Sequence, residues 1–363
     1  MAYGTHDFPF LDFGDQDINR IAARQTAAGV SFANILTGAN AAMGATVQNL
    51  DPIVGALASQ TDQAEAEEDY SAVFQVEFGS EYAVARPQRS DGITHQLPIR
   101  KLDVAAQFTE DFLDNATEAR IANHLDGLTR SFQTAFEAMA LDALFNPAGI
   151  PVTENSGTLS PKLIGFDAND PAYGRVTLAD GTVLASPYSH YLNDTPANLG
   201  AAIQTAITRL RARGVQGPFD IVGSPAAVAA ISGLDNYVNA GDPLVRNGQG
   251  TAEANVDMGI YAGVLQGWNV RVRHANDRIQ DVGNSFWFSV FKTNGQFASG
   301  NPVAWRYDGR RGVTPVLRSR SMYPLDYATV IASAGFGIGN RFGAVAVHIE
   351  DTAGGYDAPV IRG

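Results

Sequence analysis

Apolar residues recur every three or four positions between Thr109 and Phe145, at Ile121, Leu125, Leu128, Phe132, Phe136, Met139 and Ala143. That step is one face of an α-helix. Asn123, Asp126, Arg130, Gln133 and Glu137 keep the same step on another face, which the pattern assigns to water or to a polar partner. Asn115 followed by Glu118 reads as a capping box. Asn146-Pro147 ends the run, because a proline pushes the residue before it out of the α region. From 115 to 145 this is a rod of roughly 45 Å at about 1.5 Å per residue.

Before the rod the pattern is weak. Residues 1–71 are polar and rich in Gly and Ala, with one short helix expected at Asp17–Ser31. A segment with so little core signal is expected to be an extended arm lying on another surface. Its acidic run, Thr61–Asp69, reads as a solvated turn or as a contact for an arginine patch on a neighbour. Residues 72–108 read as a long hairpin with β-prone arms AVFQVEFGSEYAV and LPIRKLDVAAQF. Arg86 and Arg89 decorate its tip and Arg100 sits on the return arm. A two-stranded ribbon is marginal by itself in water, so it needs a partner surface.

After the rod the period changes repeatedly. Val176–Leu184 is a tight hairpin around Asp180-Gly181. Phe166–Pro171 has spaced oxygens but lacks the alternating acidic pattern and distal glutamate of a calcium loop, so an Asx-rich turn is preferred. Ala197–Arg213 is an amphipathic helix stopped by Gly214. Phe219–Val222 is a short buried strand, and Ser224-Pro225 opens a second helix with a serine cap and a first-turn proline. Residues 236–256 read as a loop. Strands are expected over Gly259–Val272, Ser285–Phe291, Val303–Tyr307, Val316–Arg320, Tyr327–Ala334 and Ala344–Ile349, with a basic turn at Arg310-Arg311 and a tail over 351–363.

Composition narrows the function. The 363 residues carry a net charge of −13 and no basic tail, which argues against sequence-specific DNA binding. Only Lys101, Lys162 and Lys292 are lysines; the remaining basic residues are arginines, which interfaces favour and which a GC-rich genome would also produce. Without cysteine there are no disulfides, thiolate metal sites or thiol nucleophiles. No run approaches the length of a membrane span, and the opening residues lack the basic and apolar regions of an export signal, so no membrane partner is expected and the cytoplasm is the default compartment.

Catalytic patterns are missing. There is no G-x-S-x-G, H-E-x-x-H or P-loop. The six histidines, His6, His95, His124, His190, His274 and His348, are too scattered for a helical zinc pair and read as packed or surface residues. Gly335-Phe-Gly337-Ile-Gly339 lacks the third glycine and the helix of a dinucleotide loop and is expected in sheet. Catalytic, cofactor and metal residues are therefore expected to be none.

The order of parts resembles the major capsid protein of tailed bacteriophages, a fold shared with encapsulin shells and the herpesvirus capsid floor. The resemblance covers about residues 70–350. The run FTEDFLDNATEARIANHLDGLTRSFQTAFEAMALDALFNPAG resembles the family's spine helix and its closing turn. ANLGAAIQTAITRLRARGVQGPFDIVGSPAAVAAISGLD resembles its axial pattern of helix, strand and helix. GVLQGWNVRVRH resembles the strand that follows, and MYPLDYATVIASAGFGIGNRFGAVAVHI the closing sheet.

That resemblance implies an α+β chain with the tailed-phage major capsid protein fold. Its parts are an N-terminal arm (1–71), an extended β-hairpin loop (72–108) and a peripheral domain (109–196 and 303–350). The peripheral domain contains the spine helix (109–145) and a hairpin insertion (150–195). An axial domain (197–302) and a C-terminal tail (351–363) complete the chain. It further implies a non-enzymatic, cofactor-free subunit assembling into hexamers and pentamers. These would form an icosahedral shell around double-stranded DNA in a virion put together in the host cytoplasm. Implied partners are other copies, a portal, a separate scaffolding protein, packaged DNA held without sequence specificity and a decoration protein. Inter-subunit contacts are expected at Arg86, Arg89, Arg100, Arg310 and Arg311. The hairpin tip holds no lysine, so the covalent cross-linking of some members is not expected. An encapsulin-like compartment is the alternative, and a soluble α/β enzyme a remote one.

Overall fold

A computed structural model describes residues 29, 34, 52–68, 93–109, 115, 117–146, 152–154, 157–159, 176–177, 183–184, 190–212, 214–242, 257–308, 316–322, 325–340, 343–352 and 354–363. The chain divides into two compact units, one of residues 1–52, 99–137 and 307–335, the other of 53–98, 138–306 and 336–363. The expected helix Asp17–Ser31 apart from Gly29, the Asx-rich turn at 166–171 and the tips of both hairpins lie outside the described residues.

The periodic stretch is a helix, Glu118–Phe145, of 28 residues, about 42 Å long at 1.5 Å per residue. It ends where Asn146-Pro147 predicts, and the Asn146 N–H still donates to the Asp142 carbonyl at 2.8 Å. Leu128, Phe132, Phe136 and Ala143 are buried as the spacing requires. Asn123, Asp126 and Arg130 are exposed, and Arg130 pairs with Asp126 at 2.7 Å, an exposed pair worth about 0.3–0.5 kcal/mol. Glu137 departs from the expectation: it is only 6% exposed. The burial that begins as one stripe widens near this point, and Ala140, Leu141, Leu144 and Phe145 are all covered. A polar step along one face cannot reveal that its last member passes under other chain.

Gly127 sits within this helix on its exposed side, and a methyl group there would meet nothing within 4 Å. Glycine in a helix interior costs about 0.5–1 kcal/mol against alanine through lost backbone entropy. Gly127→Ala is therefore expected to raise the unfolding free energy by about that amount, read as a higher urea midpoint; an unchanged or lower midpoint would contradict it.

In the first unit, Leu325–Ala334 is flanked on both sides. Val316–Met322 pairs antiparallel along one edge and Arg100–Thr109 antiparallel along the other. The sequence reading puts 100–108 in the hairpin's return arm. Instead, that stretch and Thr109 pair with this strand without a break, Thr109 opposite Leu325 and Arg100 opposite Ala334. A β-prone run shows its period in sequence but not which edge it joins. The ribbon itself is present in the second unit, displaced toward the N-terminus: Glu65–Glu68 pairs antiparallel with Ile93–Gln96. Part of the acidic run is thus strand.

The second unit is built on a seven-stranded sheet. From edge to edge its strands are Tyr237–Asn239, Tyr261–Leu265, Val270–Arg273, Phe219–Gly223, Phe286–Phe291, Ala344–Ile349 and Tyr191–Asp194. The helices Leu199–Ala212 and Pro225–Ser232 pack on one face, where Ile203, Ile207 and Leu210 meet Phe219, Ile221, Val272, Phe288, Val290, Val345 and Val347. Ser224 caps the second helix as predicted, accepting from Ala227 N–H at 3.4 Å, with Pro225 in the first turn. Gly214 ends the first helix with φ +82°, a conformation open to glycine at no steric cost.

Three expectations change here. Ala344–Ile349, expected with the peripheral strands, lies inside this sheet, antiparallel to Phe286–Phe291 and parallel to Tyr191–Asp194. Tyr191–Asp194, expected in the insertion, is the edge strand beyond it. Tyr237–Asn239, expected as loop, is the opposite edge. All three pairings join segments far apart in sequence or use strands too short to show a period. The two arms of the Val176–Leu184 hairpin pair antiparallel, with Val176 opposite Leu184 and Thr177 opposite Val183, one residue off the register that a two-residue Asp-Gly turn would set; the turn itself lies outside the described residues.

Part of the expected arm is core. Val54 and Leu57, in the helix Pro52–Leu57, are fully buried, and Ala58–Thr61 pairs in parallel with Val303–Arg306. Asn301, fully buried, ties this region together: its amide donates to the carbonyls of Ala58 at 3.1 Å and Gly295 at 2.9 Å, and its oxygen accepts from Asn294 N–H at 2.9 Å. Trp305 stacks on Phe336 with ring centres 5.7 Å apart. Gly335-Phe-Gly337-Ile falls in the strand Leu325–Ile338. Gly339, just beyond it, lets two backbones meet, since a β-carbon there would lie 2.7 Å from the carbonyl oxygens of Asn301 and Val303.

Candidate functional site

Of the five arginines expected at contacts, Arg100 lies among the described residues. Arg86, Arg89, Arg310 and Arg311 lie outside the described residues. Arg100 is half-buried at the start of its strand, opposite Ala334. The charged site that the structure does assemble is a different one, on the sheet face away from the two helices.

Because side chains alternate along a strand, the sheet residues between the core positions all point to that second face. Asp220 stands there, flanked by Arg271 on the parallel neighbour and Phe291 on the antiparallel one. It is 0% exposed. Arg271 Nε donates to Asp220 Oδ1 at 2.7 Å. Arg273 Nε and Nη2 donate to Oδ2 at 3.1 and 2.9 Å, and the Tyr261 hydroxyl donates to the same oxygen at 2.9 Å. Both guanidinium groups also lie against the Tyr261 ring, at 4.8 and 5.2 Å from its centre, where the ring face attracts a cation. Lys292 follows Phe291, with Nζ 3.5 Å from the Pro218 carbonyl oxygen. Burial, reinforced by the Arg271 charge, lowers the Lys292 pKa.

Farther along the same face the chain's own end covers the sheet. Trp287 and His348 stand opposite each other on adjacent strands and stack at 4.6 Å. Tyr356 stacks on Tyr191 at 4.0 Å, meets His348 edge-on, and donates its hydroxyl to the Phe145 carbonyl at 2.8 Å. Trp287 Nε1 donates to the Asp357 carbonyl at 2.7 Å, and Val360–Ile361 pairs antiparallel with Ile279–Gln280. The stretch 351–363, expected as a tail, is a docked strap. Tyr356 in that Gly/Asp-rich segment was the signal available in sequence, a lone large aromatic among small residues.

Burial, with the nearby Asp220 carboxylate, raises the Tyr261 pKa to about 12, and burial raises that of Tyr356 well above its ordinary value of 10.0. The native state therefore holds these protons at pH values where the unfolded chain releases them. Their contribution to stability is complete below about pH 10 and falls as pH rises from there through about 12 for Tyr261. Urea melts across this range are expected to show a declining midpoint, with a shallower decline in Tyr261→Phe; parallel declines would contradict the assignment.

Among the described residues no group of three or more His, Asp or Glu is placed to hold a metal ion, and no helix is long and apolar enough to cross a membrane. His348 is packed between aromatic rings and burial lowers its pKa, while His124 is on an exposed part of the long helix.

No family model and no curated protein matches the chain. Among solved structures it is similar to one of Mycobacterium phage Patience, at 17% identity, covering 92% of this chain and 94% of that one, with a TM-score of 0.59. The chain has the tailed-phage capsid fold. The capsid of Ralstonia phage GP4 (12% identity, 82% and 86% coverage, TM-score 0.49) and the capsid of a native GTA particle (11%, 82% and 89%, 0.48) also align. The capsid-fold likeness extends through both compact units, so the α+β architecture expected from sequence is the architecture present.

Proposed function

We propose that this chain is the major subunit of an icosahedral virion shell, assembling through hexamers and pentamers around double-stranded DNA. The observation that carries the reading is the capsid fold shared with a phage structure over nearly the whole of both chains. Function does not follow from fold alone, but two features agree with a tile. The charged cluster and the strap bind strands and chain segments to one another across the sheet's second face. The net charge of −13 suits a container whose DNA is held by confinement and not by tight binding to the wall. In this reading the subunit is structural, works without a cofactor, and finds its principal partner in itself.

The finer partners follow from the same reading: a portal, a separate scaffolding protein, packaged DNA and a decoration protein on the outside. Arg86, Arg89, Arg100, Arg310 and Arg311 are proposed at contacts between copies, where forked guanidinium groups meet carboxylates. Expression of the chain followed by negative-stain imaging tests the core of the proposal. Closed shells containing nuclease-protected DNA, when made with the phage's packaging proteins, support it. Shells that hold only protein cargo would move the assignment to a compartment of the encapsulin type. A monodisperse monomer under all assembly conditions would end it. Boiled shells are expected to run as a single monomer band; a ladder would reveal covalent linkage.

A further inference from the structure

One side-chain amide fastens the start of the strap, and a histidine is among its partners. Asn193, on the edge strand Tyr191–Asp194, donates from Nδ2 to Glu350 Oε1 at 2.5 Å and to the Gly355 carbonyl at 2.5 Å, and the same nitrogen lies 3.4 Å from His348 Nδ1. The amide oxygen turned into that place would set oxygen against oxygen at both Glu350 and Gly355, so the nitrogen belongs there. Glu350 in turn accepts from the Gly354 N–H at 3.0 Å. His348 is 2% exposed. Its ring lies flat on Trp287, and Tyr356 of the strap meets it edge-on. Its Nε2 has no hydrogen-bond partner among the described residues.

We propose that His348 is a proton-operated latch: the neutral ring keeps residues 354–363 on the sheet, and acid releases them. Either neutral tautomer leaves the second proton badly placed. On Nδ1 it points at the Asn193 N–H groups, donor against donor. On Nε2 it carries charge into a covered spot with no acceptor among the described residues, which is costly until water reaches it. Turning Asn193 over to accept from Nδ1 sets its oxygen against Glu350 and the Gly355 carbonyl, and so undoes the fastening. Lifting the strap gives the ring to water. The charges acting on the ring oppose this: Glu350 on its own strand and Asp357 on the strap attract a cation, and the Gly355 backbone helps them. Trp287 and Asn193, opposite His348 on the two adjoining strands, carry no charge, and Tyr356 keeps its proton far above neutral pH. Burial outweighs the attraction and lowers the ring's pKa. The docked ring therefore titrates below a free histidine, so docking is at full strength above about pH 6.5 and weakens as pH falls from there. The inference concerns a single chain and stands apart from the shell reading.

Hydrogen exchange on the full chain, corrected for the intrinsic rate at each pH, reads strap opening through the Arg362 N–H, which donates to the Arg278 carbonyl at 3.0 Å. Opening is expected to rise as pH falls from about 8 to about 5, by about tenfold for each unit by which the docked ring titrates below the free one. The ring itself is followed by NMR in chain labelled at its six histidines, the His348 signal being recognised by its contacts with Trp287 and Tyr356. His348→Phe keeps an aromatic ring against Trp287 but takes no proton, and its strap is expected to open equally at both ends of the range. Asp357→Asn removes an attraction for the charged ring and is expected to enlarge the acid effect. Opening in the parent that does not change with pH overturns the latch. Acid opening that persists undiminished in His348→Phe assigns the effect to carboxylates and overturns it too, as does a parent His348 that titrates at or above about 6.5. If His348→Phe does not fold, the parent's exchange and titration decide together, because linkage requires the two to agree. A chain that never forms shells but frees its strap in acid keeps this inference and removes only the shell reading.

Discussion

Asp220→Ala is expected to lower the unfolding free energy by about 3–5 kcal/mol, the range seen when one partner of a buried ion pair is removed. The reason lies in what remains. Arg271 and Arg273 keep their charges on the covered sheet face, Lys292 stays beside them, and the Tyr261 hydroxyl loses its acceptor. The loss thus exceeds what a single hydrogen bond, at about 1 kcal/mol net, would produce. A control separates the two sources: Asp220→Ala combined with Arg273→Met removes an orphaned charge as well, and is expected to recover part of the loss. Urea melts of the four members of that cycle give the coupling directly. If Asp220→Ala costs under about 1 kcal/mol, the cluster does not hold the sheet as described.

Tyr356→Ala is expected to cost somewhat less, about 2–3 kcal/mol, because a half-buried ring gives up only part of what truncating a fully buried aromatic does. It removes the ring stacked on Tyr191, the edge contact with His348 and the hydroxyl that satisfies the Phe145 carbonyl at the end of the long helix. Tyr356→Phe isolates the last of these and is expected to cost about 1–2 kcal/mol, since a buried carbonyl is left without its donor. Limited proteolysis gives a second readout. The strap is held by Tyr356, by the bond from Trp287 to Asp357 and by the short pairing of Val360–Ile361, so its loosening in Tyr356→Ala should expose 351–363 to cleavage before the rest unfolds. A tail that is equally resistant in both proteins would show that the ring is not what fastens it.

Local features were legible in the sequence and long-range ones were not. The rod at 118–145, the Ser224-Pro225 cap, the Gly214 stop and the Val176–Leu184 hairpin all declare themselves within a dozen residues, through period, caps or a turn dipeptide. The resemblance carried the architecture, because it reads the order of such parts. What failed was membership. Arg100–Thr109 and Ala344–Ile349 are plainly strands by composition, yet nothing in either names its partners, Leu325–Ala334 for the first and Phe286–Phe291 with Tyr191–Asp194 for the second. Residues 52–61 seemed coreless because PIVGALASQT is short and small, and its last four residues find a parallel partner at 303–306 that the sequence does not announce. The Asp220 site was missed for a related reason. Asp220 stands within the apolar run FDIVG and its arginines within VRVR, so each looks like an ordinary alternation until the strands are laid side by side. An acid inside a buried strand was the one clue available.

The parallel pairing of Ala58–Thr61 with Val303–Arg306, and the locking of the last residues onto Ile279–Gln280, give the chain an order of completion. A segment made early in translation waits for a mate synthesised some 240 residues later, and closure over so long a loop is slow because its entropy is lost before the contacts form. A chain truncated before Val303 has no mate for Ala58–Thr61, so that seam closes only after most of the described chain is made.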